Sequence, residues 1–449
     1  MELDMTRGKP LPVLIKFTLP LLLGNVFQQF YNMADTVIVG RFVGAGALAA
    51  VGSTGTILFL IIGFAQGITS GFAILTAQRF GAGDTDGVRK SVANGILLAI
   101  ISTVILTGIC LGVMRPLLGW MNTPEDIFGD AYTYIMIVSG GMAAMVFYNL
   151  FSAFLQAVGN SRTPLFFLIF SACLNIVLDL VFIVWGKMGV AGAALATVVA
   201  QGVSAVLCGG YIFLKMKILT PRITHWKLHA SDSRHQISMG LPMALQFAIT
   251  ASGAMVMQAA INLFGSNAIA AYTAAEKLEM LVEQGMVAMG QAVATYCGQN
   301  YGKGDVDRIR AGVKAALGAI MAYGATAAIV VSIVLEPTLR IFFAEGVNMA
   351  SMMPWARTYM NICASFFLPL SMIFVFRNAM QGCSYGFLPM MGGVSELVAR
   401  LVVAVIAMRI GSYALAVFCH PAAWVAAAAF TGISYRWVIR DIVRKKGKL

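Results

Sequence analysis

Long runs of apolar residues, interrupted by short clusters of glycine, proline and charge, account for nearly the whole chain. Twelve runs can be drawn, at roughly 13–38, 51–77, 91–114, 131–158, 163–185, 189–214, 236–264, 269–299, 308–335, 355–382, 388–409 and 413–438. Each reaches the ~20 residues that an α-helix needs to cross the hydrocarbon of a bilayer. The pattern therefore predicts an all-α membrane protein with twelve transmembrane helices. Pro20, Pro242 and Pro369 lie inside runs, which membrane helices accept as kinks where neighbouring groups satisfy the freed backbone. The first run continues from Leu11 past Val39 without a small-residue cleavage site, so it is expected to remain as a helix and not to be removed as a signal peptide.

The polar interruptions show that the chain repeats itself. Gln78, Gly81, Gly83, Asp84, Asp86 and Arg89 recur as Gln299, Gly302, Gly304, Asp305, Asp307 and Arg310, each displaced by 221 positions. Upstream, GAGALAA at 44–50 aligns with GSNAIAA at 265–271, and Pro20 aligns with Pro242. Downstream, QAVGNSRTP at 156–164 aligns with QGCSYGFLP at 381–389. Two pseudo-symmetric six-helix lobes follow, at 1–214 and 236–449, joined by a cytoplasmic linker at 215–235. In a membrane protein, an internal repeat of this size suggests a transporter whose halves rock about a site between them.

Bulk composition agrees with a membrane location. Mean hydropathy is +0.82, 59% of residues are hydrophobic, and only 11% are charged, against about 25% in soluble domains. Placing both termini in the cytoplasm puts 22 of the 31 lysines and arginines on the inner side, a strong positive-inside bias. The net charge of +12 thus reflects topology and contact with anionic lipid, and no nucleic-acid partner is expected. The seven cysteines show no CxxC spacing and read as small buried hydrophobes. His225, His229 and His235 read as part of a polar linker, so no metal site and no cofactor are expected. GAGD and GKGD lack the Lys-Ser/Thr ending of a phosphate loop. Gln78, Asp84, Gln299 and Asp305 are therefore taken as an inner-loop motif that turns the chain and caps the next helix, or latches the lobes.

Charge at mid-bilayer costs at least ~2.5 kcal/mol, so intramembrane acids are the best functional pointers. Asp35 is alone between Asp4 and Asp84, and Asp179 is alone between Asp130 and Asp232. Asn175 and Asp179, four apart, share a helix face, and Thr197 in the next segment adds a hydroxyl. These oxygens suit a hard cation such as Na⁺, and because burial favours a neutral carboxyl they suit a proton equally. Glu396 and Arg400, also four apart, read as a structural ion pair. Arg400 occupies the repeat position of Asn175, so the lobes have diverged in chemistry. Glu276, Glu279 and Glu283 share a face that is either an outer helix end or a cavity wall. With Gln28, Asn32, Asn149, Met257 and Met286, Glu279 and Glu283 form the candidate lining of a substrate cavity, since flexible methionines suit a promiscuous one.

The run FQQFYNMADTVIVGRFVG, the pair AQRFGAGD and GQNYGKGD, QAVGNSRTP, and LNIVLDLVFI followed by GVAGAALAT resemble the multidrug and toxic compound extrusion (MATE) family over nearly the whole chain. The resemblance implies a multi-pass protein of the cell membrane that acts as a monomer. It would exchange drugs, toxins or other amphipathic organic cations for Na⁺ or H⁺ and would not be an enzyme. By it, Asp35, Asn175, Asp179 and Thr197 match the N-lobe cation site of DinF-like members, and Pro20 matches the proline at which the first helix is proposed to bend. Relatives of the NorM type carry acids on helices seven and ten, and this chain has none from Ser233 to Ala275 or from Gly346 to Ser395. A flippase of lipid-linked cell-envelope precursors is the alternative within the same superfamily. If the charge bias sets topology, reporter fusions after Lys227 and at Leu449 will both report the cytoplasm; an outward report from either excludes the twelve-helix arrangement.

Overall fold

In a computed structural model that describes residues 3–121, 123–342 and 349–446, helices carry the chain throughout and no strand occurs among those residues. Of the basic residues assigned to the inner side, Lys448 lies outside the described residues. The helices are α1 (Pro10–Phe42), α2 (Ala45–Ser53), α3 (Gly55–Gly81), α4 (Thr85–Trp120), α5 (Glu125–Gly140), α6 (Met142–Ala157), α7 (Arg162–Asp179) and α8 (Gly189–Lys215). The second half of the chain supplies α9 (Ala230–Ile261), α10 (Ser266–Lys303), α11 (Val306–Phe342), α12 (Met349–Ala364), α13 (Phe367–Gly382), α14 (Phe387–Ile410) and α15 (Tyr413–Lys446).

Nine of these are long and apolar enough to cross a membrane among the described residues. The pairs α5 with α6 and α12 with α13, bent by 47° and 49°, raise the number to eleven if each pair is one span. The remaining segment drawn from the sequence falls on α10, where Glu276, Lys277, Glu279 and Glu283 lower the hydropathy of a 38-residue helix. The two copies of the repeat differ at this helix. Gly52 and Gly55 flank a break at Thr54 that divides α2 from α3, whereas their repeat partners Thr273 and Glu276 lie within the unbroken α10.

The chain forms two compact units. One comprises Met1–Asp4 with Leu23–Ala244, and the other Met5–Leu22 with Leu245–Leu449. The lobes drawn from the sequence at 1–214 and 236–449 differ from these at two segments. The opening half of α1 is grouped with the second unit, and the former linker and the opening of α9 are grouped with the first. Each crossing lies two residues past a proline, Pro20 in α1 and Pro242 in α9.

Side-chain bonding explains both memberships. In the first unit, Arg79 grips both oxygens of Asp232 at 2.6 and 2.7 Å. Gln236 donates to the carbonyls of Phe72 and Ser91 and accepts from Asn94 at 2.7 Å. The freed oxygen of Asn94 accepts from the His229 N–H, so this buried network closes without an orphan among those atoms. His225 joins the linker to the same surface: its Nδ1 accepts from the Arg222 N–H, which leaves the proton on Nε2 to bond Asp86 at 3.0 Å. In the second unit the bonds run to backbone. Gln299 accepts from the Met5 N–H at 2.9 Å, and Arg308 donates to the carbonyls of Met5, Arg7 and Gly8.

The inner-loop motif turns in the same way in both units. Gly83 and Gly304 adopt φ of +75° and +77°, a region that glycine enters without strain. Asp84 then accepts from the Gly87 N–H at 2.8 Å, and Asp305 from the Arg308 N–H at 3.0 Å, the bonding of a helix N-cap. Close approach matters most where α3 meets α9 inside the first unit. A Cβ added at Gly71 would lie 2.3 Å from the Gly240 Cα, and one at Gly67 would lie 2.6 Å from the Ala244 nitrogen. Small residues let membrane helices pack backbone against backbone in this manner. Gly71→Val has only backbone to displace, so it is expected to cost roughly 1–3 kcal/mol or more and to lower the thermal unfolding midpoint. A variant that melts with the wild type would disprove this contact.

Candidate functional site

Asp35 and Asp179 meet inside the first unit. Asp35 projects from α1 seven residues before its end. Asp179 is the last α-helical residue of α7 and is fully buried. The carboxyls interact directly, yet one oxygen of each, Oδ1 in both cases, is buried without a hydrogen-bond partner. Two carboxylates in contact repel strongly where water is scarce, and orphaned buried acceptors are costly. The arrangement therefore calls for a proton or a small cation between them.

Groups on α7 and α8 hold the pair from one side. With its nitrogen toward Asp179, the Asn175 amide donates to Oδ2 at 2.9 Å while its oxygen accepts from the Thr197 N–H at 3.1 Å. The Thr197 hydroxyl donates to the Ala193 carbonyl at 3.1 Å, leaving its oxygen free to accept. Asn175 thus fixes the direction in which Asp179 points. After Asp179 the helix changes winding: Leu180–Trp185 form a π turn, closed by a Gly186 to Val181 bond of 2.8 Å. Such turns occur often at functional sites because the extra residue re-aims neighbouring side chains.

Two tyrosines complete the site, and the sequence reading missed both. Tyr31, one turn before Asp35, bonds Thr197 and lies beside both carboxyls. Tyr134 on α5 is buried within electrostatic reach of Asp35 and Asp179. The four-residue spacing of Tyr31 and Asp35 was the available signal for the first. Nothing in sequence marks Tyr134, because its nearness to the pair is set by packing between helices distant in sequence.

The second unit handles its charges differently. Glu396 is bonded by Arg400 at 2.9 Å on its own helix and also by Arg377 from α13 at 3.4 Å. What spacing presents as a pair is a three-membered bridge from α13 to α14. Gly253 leaves room for it, since a Cβ there would lie 2.2 Å from an Arg400 nitrogen. Along α10, Tyr272 donates to Glu276 at 2.8 Å, and Tyr359 donates to the buried Glu279. Glu283 lies within the electrostatic reach of Glu396, Arg377 and Arg400. No cluster of three or more His, Cys, Asp or Glu is placed to hold a metal among the described residues.

The residues suggested for a substrate cavity divide between the units. Gln28 and Asn32 are exposed on α1, and the Asn149 amide donates to the Met145 carbonyl. Met257 and Met286 are fully buried in the second unit, where Ser371 donates to the Met286 sulfur at 3.7 Å.

Repeated helical units in a membrane-spanning chain, with a carboxyl pair buried in one of them, define a membrane transporter. The MatE family model matches residues 20–181 and 242–406, one stretch in each copy of the repeat, and the chain belongs to that family. It is 31% identical to the probable multidrug resistance protein YpnP of Bacillus subtilis over 316 residues, 68% of either chain. It is also 26% identical to the probable multidrug resistance protein NorM of Thermotoga maritima, over 74% of this chain and 72% of that one. The fold matches an outward-facing multidrug resistance MATE family transporter of the MOP superfamily, with a TM-score of 0.91 at 21% identity over 98% of each chain. A MATE transporter in the bent conformation matches at 0.90 and 21% identity over 99% of each. Members of this family are transporters and not enzymes.

The contrast between the units has a thermodynamic consequence. Glu396→Gln removes the carboxylate that both buried guanidiniums bond, and breaking a buried pair this way costs about 3–5 kcal/mol. Asp35→Asn removes a repulsion and is expected to leave the unfolding midpoint unchanged or raised. Melting curves of the two purified variants test this; equal losses would show that both clusters are structural.

Proposed function

We propose that this chain is a secondary-active exporter of amphipathic or cationic organic compounds, antiporting its cargo against Na⁺ or H⁺ by alternating access. The observation that carries the reading is the contact of Asp35 with Asp179, each with a buried oxygen left unpartnered. A driving ion bound there offsets the desolvation of both carboxyls. Asp35 stands on α1, about three and a half turns beyond the place where that helix passes from one unit to the other. A change in α1 therefore alters the distance between the carboxyls, and with it the affinity for the ion, which is the differential binding that coupling requires.

The family relatives support the cargo class by their names, and the lysine and arginine bias supports a cytoplasmic membrane location with both termini inside. Both ionisable clusters close within single units of one chain, which fits a monomeric transporter. Pro20, where α1 changes unit, supports a hinge there, because proline removes an intrahelical hydrogen bond.

Asp35→Asn and Asp179→Asn are each expected to abolish ion-driven efflux in proteoliposomes while leaving the protein folded and inserted. Glu396→Gln is expected to act through stability. Full efflux by both aspartate variants at matched protein amounts would remove this pair as the coupling site, and dependence on Glu279 or Glu283 instead would move coupling to the second unit.

A further inference from the structure

The first unit carries a groove of about 420 Å³ between α6 and α8, lined only by alanine, glycine, valine and phenylalanine. Phe147 and Phe151 form one wall, with ring centroids 5.8 Å apart, and Phe213 meets Phe151 edge-on at 6.3 Å to close one end. The Phe151 ring lies against the α8 backbone at Gly209, where a Cβ would approach to 2.9 Å. At Gly210 a Cβ would meet nothing within 4 Å, so the floor there is open. Val206, 73% exposed, stands at the mouth. In a chain that spans a bilayer, an apolar mouth of this kind suits hydrocarbon.

Length and charge identify the occupant. The lining runs from Ala143 to Phe151 on α6 and from Gly202 to Phe213 on α8, which at 1.5 Å per residue is roughly 12–16 Å. One leaflet of a ~30 Å hydrocarbon core is about 15 Å deep. The closed end lies two residues before Lys215, the exposed last residue of α8. Exposed Lys217 follows, and its carbonyl is held by Arg89 through bonds of 3.0 and 3.1 Å. Exposed Arg162 opens α7 five residues after α6 ends. A cationic drug finds no acid or polar group in this lining and meets positive charge at its end. An acyl chain fits the apolar trough, and a phosphate fits the basic end.

We propose that the groove between α6 and α8 is a binding site for one anionic phospholipid, with an acyl chain laid along the trough and its headgroup phosphate held by Lys215, Lys217 and Arg162. The chain fills the space beside Gly210 and spans the seam between α6 and α8, so the lipid acts as part of the packing of the first unit. The site is separate from Asp35 and Asp179 and does not depend on ion coupling.

Native mass spectrometry of the full chain, exchanged into detergent with phosphatidylglycerol and phosphatidylcholine of matched acyl chains, tests it. One phosphatidylglycerol is expected to be retained per chain in preference to phosphatidylcholine. Lys215→Gln and Lys217→Gln are each expected to reduce that preference about fivefold, which is the ~1 kcal/mol attraction of one basic residue to an anionic surface. Gly210→Leu fills the open floor and is expected to remove the retained lipid of either kind; Ala143→Leu, from the opposite wall, gives the same result if Gly210→Leu does not fold. Equal retention of the two lipids by the wild type would mean general annular lipid and overturn the proposal. Unchanged retention in the leucine variants would place the lipid elsewhere. Displacement by ethidium, lost in the leucine variants, would make the groove a drug vestibule instead.

Discussion

A carboxylate carried into the apolar interior of a membrane protein must be matched by positive charge or give up its own. The two units meet this requirement in opposite ways. In the second, Glu396 is held by two guanidiniums that come from the protein itself, Arg377 and Arg400. In the first, Asp35 and Asp179 have no basic side chain in the cluster that surrounds them, and each keeps an unpartnered oxygen. A site that supplies its own counter-charge is permanently satisfied. A site that lacks one depends on something from solution, which is why the proposed coupling falls to the first unit.

The fold also has to satisfy the polar groups at its basic end, and there the repeat is used twice. The turn after α3 and the turn after α10 share their glycine and aspartate chemistry, but each holds the opening of the helix that begins the opposite copy. Arg79 binds Asp232 in the first turn of α9, and Arg308 binds the backbone of Met5–Gly8 ahead of α1. Arg308 stands at the repeat position of Gly87, whose missing side chain makes room for the Asp84 cap and for Arg79. One position thus became a glycine under an arginine in one copy and an arginine in the other, and both solutions anchor a helix opening.

Much of this was legible in the sequence because it is written in one dimension. Apolar run length marks the spanning helices, a displacement of 221 marks the repeat, and isolated acids within apolar runs mark Asp35 and Asp179. What was not legible depends on packing. The grouping of Met5–Leu22 with the second half of the chain has no signal beyond Pro20. Arg377 reads as an isolated charge until α13 is laid beside α14. Tyr134 is one more aromatic in an apolar run, and the π turn after Asp179 leaves no mark in LVFIVW.

The π turn and the amide of Asn175 show how the site reconciles rigidity with response. Asn175 and Thr197 hold Asp179 from α7 and α8, and those two helices pack together within one unit, so this carboxyl has a fixed bearing. Asp35 stands on the one helix of the first unit that begins outside it, with a proline between the two parts. On the proposed coupling reading, a fixed carboxyl facing one carried on a divided helix would act as an electrostatic sensor of that helix's position. An ion between them favours approach and its loss favours separation, because like charges without a counter-ion repel at short range. If an ion binds there, as proposed, the asymmetry between a held acid and a carried one is what links its occupancy to the conformation of α1.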